Sequence, residues 1–254
     1  MSPPARNLHA ADTRAAPREL PGLSVVLPCF NEEANVTQAV SQALDAAAQV
    51  SPRYEVIVVD DGSNDKTVQL AAGRAAGDRH VRLVVHPSNR GYGTALRSGI
   101  DAARMPWVLL TDADLQFDLR QVEDFLPFAG PFDLIVGRRM TRQDPLARRA
   151  SAAAWNWLMR RMFALPVRDV DCAFKLVRRD QLDQVELVAS GAMISTELIV
   201  KSIQRGARLK EVGVRHRPRA AGAQSGASPR VVWRAFLELV RLRGVLRAQV
   251  DPSG

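Results

Sequence analysis

The sequence predicts an α/β protein, a mostly parallel sheet flanked by helices, with basic amphipathic helices in its C-terminal half. Short β-branched runs alternate with stretches of helical spacing in units of the βα kind. Every unusual polar cluster of the first half also follows an apolar run. Parallel sheets place their ligands there, beyond the carboxyl ends of the strands.

The elements follow in order. "LSVVLPCF", residues 23–30, is a short strand stopped by Pro28. Helical spacing then runs through Val36, Ala39, Val40, Ala43, Leu44 and Ala47, with Asn31 expected as the N-cap. "YEVIVVDDGSNDKT" reads as a strand running into acid and glycine, with a helix from Thr67 to about Ala76 behind it. "VRLVVHPSNRGYGTALRSGIDAAR" repeats the scheme, "WVLLTDADLQ" is another buried strand, and "FDLIVGRR" a strand ending in arginines.

The second half changes character. "ARRASAAAWNWLMRRMFALP" is helical, with Trp155, Leu158, Met159, Met162 and Phe163 on one side and Arg148, Arg149, Arg160 and Arg161 interrupting. "MISTELIVKSIQRG" is a helix closed by Gly206, and "ARLKEVGVRHRPR" an extended run. "AAGAQSGASP" is a turn-rich loop, and "RVVWRAFLELVRLRGVLR" a basic amphipathic helix with Trp233, Phe236, Leu237 and Val240 at helical offsets. The tryptophan-bearing helices either rest on an anionic bilayer or pack on the core or a second subunit. The expected organisation is a disordered leader over residues 1–22, one catalytic body over 23–228, and a basic helix and tail over 229–254.

The composition is that of a globular protein, 46% hydrophobic and 24% charged over 254 residues. A formal charge of +8 suits an anionic partner: nucleic acid, an acidic membrane surface or a phosphorylated substrate. Cys29 and Cys172 show no metal-ligand spacing and no disulfide framework, so a reducing cytoplasm is the default. The Pro/Ala/Arg-rich N-terminus lacks the apolar core of a secretory signal, and no apolar run reaches the roughly 20 residues that cross a bilayer.

The acids after the strands carry the chemistry. Asp112 and Asp114, one residue apart in a loop, can bend toward one cation, and the amide oxygen of Gln116 can complete the set. Hard divalent ions take such oxygen ligands and share them with substrate phosphates. One of Asp60 and Asp61 is expected to cap the next helix, leaving the other for a nucleobase or ribose. "NRGYGTA" is no dinucleotide fingerprint, because Leu96 stands where the third glycine belongs. A DNA- or RNA-binding protein would account for +8 but not for carboxylates at successive strand ends, which repel phosphate unless a cation intervenes.

"VVLPCFNEEANV", "VIVVDDGSNDKT", "NRGYGTALRSGI" and "DADLQ" together resemble the family 2 inverting glycosyltransferases of GT-A fold, in the branch of dolichyl-phosphate mannose synthases and polyprenyl-phosphate sugar transferases. The resemblance runs from about Leu23 to Ser225. It implies a Rossmann-like GT-A sheet and a nucleotide-sugar pocket lined by Pro28, Phe30, Glu32, Asp61, Asp112 and Ala113. It implies Mg2+ or Mn2+ held by Asp112, Asp114 and Gln116, and acceptor phosphate held by Arg139 and Arg149. Arg219 would be a clamp closing over the donor, with Asp114 and Arg219 serving catalysis. Asp169 is either a base or an acceptor-orienting residue, with Asp171 a second candidate base. Glu197 is either catalytic or a partner of Lys201 on one helix face. The branch often has Gly-Phe-Arg where this chain reads "CAFK", and Ser-Lys where its loop reads "AQSG", departures that bear on the acceptor.

The implied reaction moves a hexose, mannose or glucose, from a GDP- or UDP-sugar to polyprenyl or dolichyl phosphate on the cytoplasmic face of a membrane, with the enzyme peripheral and no nucleic acid involved. The alternatives are a soluble or hydroxyl acceptor, and a non-catalytic nucleic-acid-binding protein.

Overall fold

A computed structural model describes residues 17–140, 146–218 and 238–239. Side chains of residues 146–152 lie outside that description, as do Arg219 and Trp233, so Arg149 is placed by its backbone alone. The elements are β1 (Leu23–Cys29), α1 (Val36–Val50), β2 (Tyr54–Asp60), α2 (Thr67–Gly77), β3 (Val81–Val85), α3 (Tyr92–Ala102) and β4 (Trp107–Leu110). There follow a 3-10 segment (Leu119–Phe128), β5 (Leu134–Arg139), α4 (Leu146–Phe163), β6 (Lys175–Arg178), α5 (Arg179–Leu182), α6 (Ile194–Gln204) and β7 (Leu209–Val214).

The seven strands lie in the order β3-β2-β1-β4-β6-β5-β7. The chain builds outward from β1 through β2 to β3, then returns to lay β4 on the other side of β1, both pairs parallel. That reversal of direction is the switch point at which open α/β sheets bind ligands. β6 runs antiparallel to both β4 and β5, and β5 pairs in parallel with β7. Because β6 is reversed, its beginning lies where β4 ends, with Lys175 opposite Leu110.

Central strands are buried on both faces, which is why they read as continuous apolar runs rather than alternating ones. One core joins the sheet to α1, Ala71 of α2 and the 3-10 segment through Val40, Leu44, Val122 and Phe125. The other joins it to α3, α4 and α6 through Leu96, Ile100, Met159, Leu198 and Ile199. α3 lies tight on the sheet: a Cβ at Gly99 would sit 2.3 Å from Val26 Cγ1.

Several expectations change. Asn31 does not cap α1, which starts five residues later behind Asn35; Asn31 has φ +55° and accepts from the Asn64 N–H instead. Neither Asp60 nor Asp61 caps α2, whose first N–H goes to Asp65 Oδ1 at 2.9 Å. The strand β6, the short α5 and the 3-10 segment had no counterpart in the pattern reading. Gly206, at φ +85°, does close α6. Of the basic helix read at residues 230–247, Glu238 and Leu239 are described; both are helical and Leu239 is buried in the second core.

Replacing Gly99 with alanine should overpack the α3–β1 contact at a cost of about 1–3 kcal/mol. A thermal melt should fall by several degrees, at roughly 2–4 °C per kcal/mol for a chain of this size. An unchanged midpoint would contradict the close approach.

Candidate functional site

Four strand ends and one strand beginning meet at the same edge of the sheet. β1 delivers Phe30 and Glu32, β2 delivers Asp60 and Asp61, and β4 delivers Asp112 and Asp114. β5 brings Arg139, and the reversed β6 brings Lys175 with the residues before it.

The first region is a cavity of about 420 Å³ between the ends of β1, β2 and β3. Phe30, Asp60, Ser63, Val85, His86 and Asn89 are among its walls. The turn Gly62–Ser63 also lines it. Gly62 has φ +72°, and a Cβ there would meet the Ser88 backbone at 2.4 Å, so the turn after β2 packs directly on the loop after β3.

The two adjacent aspartates divide their work. Asp61 is enclosed by protein donors: His86 Nδ1 at 2.7 Å, and the backbone N–H groups of Arg90 at 2.9 Å and Gly91 at 2.8 Å. His86 is itself oriented by Ser98 Oγ at 2.9 Å from Nε2, and the carboxylate favours the tautomer with its proton on Nδ1. Asp61 thus ties β2 to the loop that starts α3. Asp60 accepts the N–H groups of Gly62 and Ser63 on Oδ2, while its Oδ1 is buried with no hydrogen-bond partner.

The second region is the loop after β4. Thr111 extends the β1 pairing, its N–H donating to Val26 O, so the loop runs beside Pro28 and Phe30. Asp112 accepts a hydrogen bond from the Tyr92 hydroxyl, while its Oδ1 is buried without a partner. Burial pushes its carboxyl above the ordinary range; Tyr92, Lys175 and Arg139 pull it back. Asp114 is buried and accepts the Gln116 N–H at 3.1 Å, helped by Leu115 at φ +63°. Ala113 is buried between them.

Gln116 donates its side-chain N–H to Arg217 O, and its own carbonyl accepts the Arg217 N–H. With the Phe117–His216 bridge, this anchors the segment after β7 along the acid loop. Among the described residues, no three His, Cys, Asp or Glu side chains cluster as a metal cage. Two carboxylates one residue apart, with Asp112 Oδ1 desolvated and lacking a donor, suit a hard cation shared with a diphosphate, so the donor set fits such an ion.

The third region was not foreseen as a unit. Arg139 and Asp169 form a bidentate pair, with Nε and Nη2 each 2.7 Å from a carboxylate oxygen and the Arg139 N–H adding a third bond. Burial works against the Arg139 charge, yet the Asp169 pair holds the guanidinium above its ordinary range. Asp171, pushed up by burial, accepts from the Trp155 indole, so Trp155 faces inward while Trp157 is 65% exposed. Lys175 is buried; Nζ donates to Cys172 O and to Ser195 Oγ at 3.2 Å, and burial draws its pKa down. Lys175 was legible as the last letter of "CAFK" but not as a group of the site, because only the reversal of β6 brings it to Asp112.

Glu197 is enclosed within the fold. It accepts the N–H groups of Val188 and Ala189 and pairs with Lys201 at 2.7 Å, the structural alternative of its two sequence readings.

Residues 24–186, more than half of the chain, match the model described as Glycosyl transferase family 2. A dodecaprenyl-phosphate galacturonate synthase of Rhizobium johnstonii is 29% identical over 236 residues, 91% of this chain and 69% of that protein. An undecaprenyl-phosphate 4-deoxy-4-formamido-L-arabinose transferase of Pectobacterium atrosepticum is 30% identical over 164 residues, 63% of this chain and 50% of the relative, so the similarity spans half of that longer protein. Among solved structures, a glucosyl-3-phosphoglycerate synthase from Mycobacterium tuberculosis, in complex with Mn2+, UDP and glucosyl-3-phosphoglycerate, superposes with a TM-score of 0.69 at 21% identity. It covers 88% of this chain and 80% of its own, a likeness of fold.

Asp61→Ala should leave His86 and two loop N–H groups without their acceptor. The cost should be about 3 kcal/mol or more, seen as a fall of roughly 6–12 °C in the melt. A melt like that of the native chain would remove Asp61 from its structural role. Cys172, pushed up to about 12 by burial, and Cys29, raised well above the ordinary thiol range by burial and nearby carboxylates, should resist thiol reagents at pH 8 until the chain is unfolded. Rapid labelling of the native protein would contradict their burial.

Proposed function

The chain belongs to glycosyltransferase family 2 and has its GT-A fold, and from that premise we propose that it is a metal-dependent, inverting enzyme moving a sugar from a uridine diphosphate donor to a polyprenyl phosphate. The observation that carries this reading is the pair Asp112 and Asp114 at the β1–β4 switch point, with one desolvated carboxylate oxygen left without a donor.

The base occupies the cavity beyond β2, with Phe30, 37% exposed at its wall, against the ring. Asp60 Oδ1 accepts an imino N–H there. Its other oxygen is already taken by Gly62 and Ser63, so Oδ1 is the one acceptor left without a protein donor. Uracil presents one such N–H on that edge, whereas guanine presents an imino and an amino donor that call for two oxygens. UDP is favoured over GDP on that ground, and the Mn2+ and UDP of the structural neighbour agree with it. Asp61 then acts from behind, by holding the wall of the pocket. Pro28 and Glu32 line the approach from β1, with Glu32 fixed by Asn35 and the Thr67 hydroxyl.

Asp112 and Asp114 would hold Mg2+ or Mn2+, with Gln116 beside them. The ion's chemistry is to neutralise charge developing on the leaving diphosphate, a role in which one well-placed group is worth about 3 kcal/mol or more. Arg219 is the proposed clamp on the same phosphates. An acceptor phosphate oxygen attacks the anomeric carbon in line. The bond from that carbon to the diphosphate oxygen breaks, and its electron pair leaves with UDP. A phosphate monoester is already ionised near neutral pH, its second pKa being about 6, so the attack needs no strong base.

Arg139 suits such an acceptor. Asp169 holds its Nε and Nη2 and leaves Nη1 for a phosphate oxygen, so Asp169 is the orienting residue rather than the base. Arg149 is proposed as a second phosphate contact. The relatives named for dodecaprenyl- and undecaprenyl-phosphate products support a lipid acceptor. Their sugars include a uronic acid and a formamido-pentose, so mannose or glucose stays one choice within a wider class. Among the described residues no helix is long and apolar enough to cross a membrane. The lipid-phosphate products named for the relatives support a membrane-surface placement, which we propose to be peripheral and on the cytoplasmic face.

Asp114→Ala should abolish transfer in a donor screen against polyprenyl phosphate, with the melt little changed. Transfer surviving in chelator would contradict the metal role. Asp60→Asn keeps an oxygen for the turn but points N–H where an acceptor is needed. UDP affinity should fall at least tenfold, and unaltered calorimetric binding would remove Asp60 from the base site.

A further inference from the structure

We infer that Glu238, outside the family-matched residues, is a positioning residue for the cation site. It acts through a backbone strap, residues 188–191, pressed against the start of α3. The inference rests on the donor-site reading above.

The strap is gripped from two sides. Glu197, buried within α6, accepts the N–H groups of Val188 and Ala189. Glu238 accepts the Ser190 hydroxyl and the Gly191 N–H, both at 2.9 Å and both on Oε1. Beside it Leu239 is buried in the core that Tyr92 and Met193 share. What the strap touches is the first turn of α3. Ser190 O accepts the Gly93 N–H at 2.8 Å. A Cβ at Gly91 would sit 2.5 Å from Ser190 O, and one at Gly93 would sit 2.5 Å from Ala189 O. Gly91 also has φ +96°, so the glycines of "NRGYG" serve a backbone-to-backbone seat for the strap.

Tyr92 lies between those glycines, with its hydroxyl donating to Asp112. On one side Asp61 fixes Arg90 and Gly91 from β2; on the other the strap fixes Gly93. Remove the Glu238 grip and that second constraint slackens. Tyr92 then loses its aim, and the unpartnered oxygen of Asp112 loses its fixed direction. A site displaced by about an ångström loses much of its function, so a residue remote from the ion can govern the ion's affinity.

The test is calorimetry of MnCl2 into the full chain saturated with UDP, paired with hydrogen exchange in the absence of ligand. Glu238→Ala should weaken manganese binding about tenfold, and Ser190→Ala, which spares the Gly191 bond, about threefold. Glu238→Gln keeps the accepting oxygen and should restore near-native affinity. In a Tyr92→Phe background, Glu238→Ala should add nothing, because both act through the same contact. Amides of the first turn of α3 should exchange faster in Glu238→Ala while those of β1 and β4 do not. Native manganese affinity in Glu238→Ala, or effects that add fully to Tyr92→Phe, would overturn the inference with the donor-site reading intact. A native chain that binds no manganese with UDP would overturn both.

Discussion

A carboxylate oxygen removed from water must meet a donor or a cation, and the whole active edge of this protein is arranged by that requirement. Asp61 meets it within the fold, through His86 and two backbone N–H groups, and becomes a structural rivet. Glu197 meets it through two N–H groups and Lys201, and Asp169 through Arg139. Asp60, Asp112 and Glu238 meet it on one oxygen only. An unmatched buried acceptor costs about 1–3 kcal/mol, more when charged, so it persists where something outside the chain completes it. Two such oxygens sit where a base and a diphosphate would lie in one extended ligand, and the satisfied acids hold the frame around them.

The reversal of β6 adds the positive side of this balance. A fully parallel sheet would have put the start of that strand at the far edge. Running antiparallel, it brings Lys175 beside Asp112, and Asp169 and Asp171 beside Arg139. The residues proposed for donor and acceptor thus come from different halves of the chain and meet at one edge of the sheet. The strap over α3 extends that dependence to residues far along the sequence.

Much of the architecture was legible because two-sided burial leaves a plain signature. The apolar runs of β1, β2, β4 and β5 and the spacing of α1, α3 and α6 needed no tertiary information. β6 escaped because it is four residues long and opens with a lysine, whose burial makes sense only once its partners are in place. The cap of α1 was misassigned at Asn31 because a left-handed turn there displaces the helix start to Asn35. The acids after β2 and β4 could be read as a site from the sequence, yet the division between Asp60 and Asp61 could not. Adjacent residues at a strand end point to opposite sides, and which side holds His86 is decided by the loop after β3.

The central proposal is that Asp112 and Asp114 would hold a divalent ion, which would neutralise the charge of a nucleotide diphosphate. Its most direct test is an anomalous difference map from crystals soaked in UDP and Mn2+. The account predicts a manganese peak about 2 Å from a carboxylate oxygen of Asp112 or Asp114, with the uracil against Asp60. UDP bound with its diphosphate remote from those two side chains, or a peak elsewhere on the protein, would contradict it.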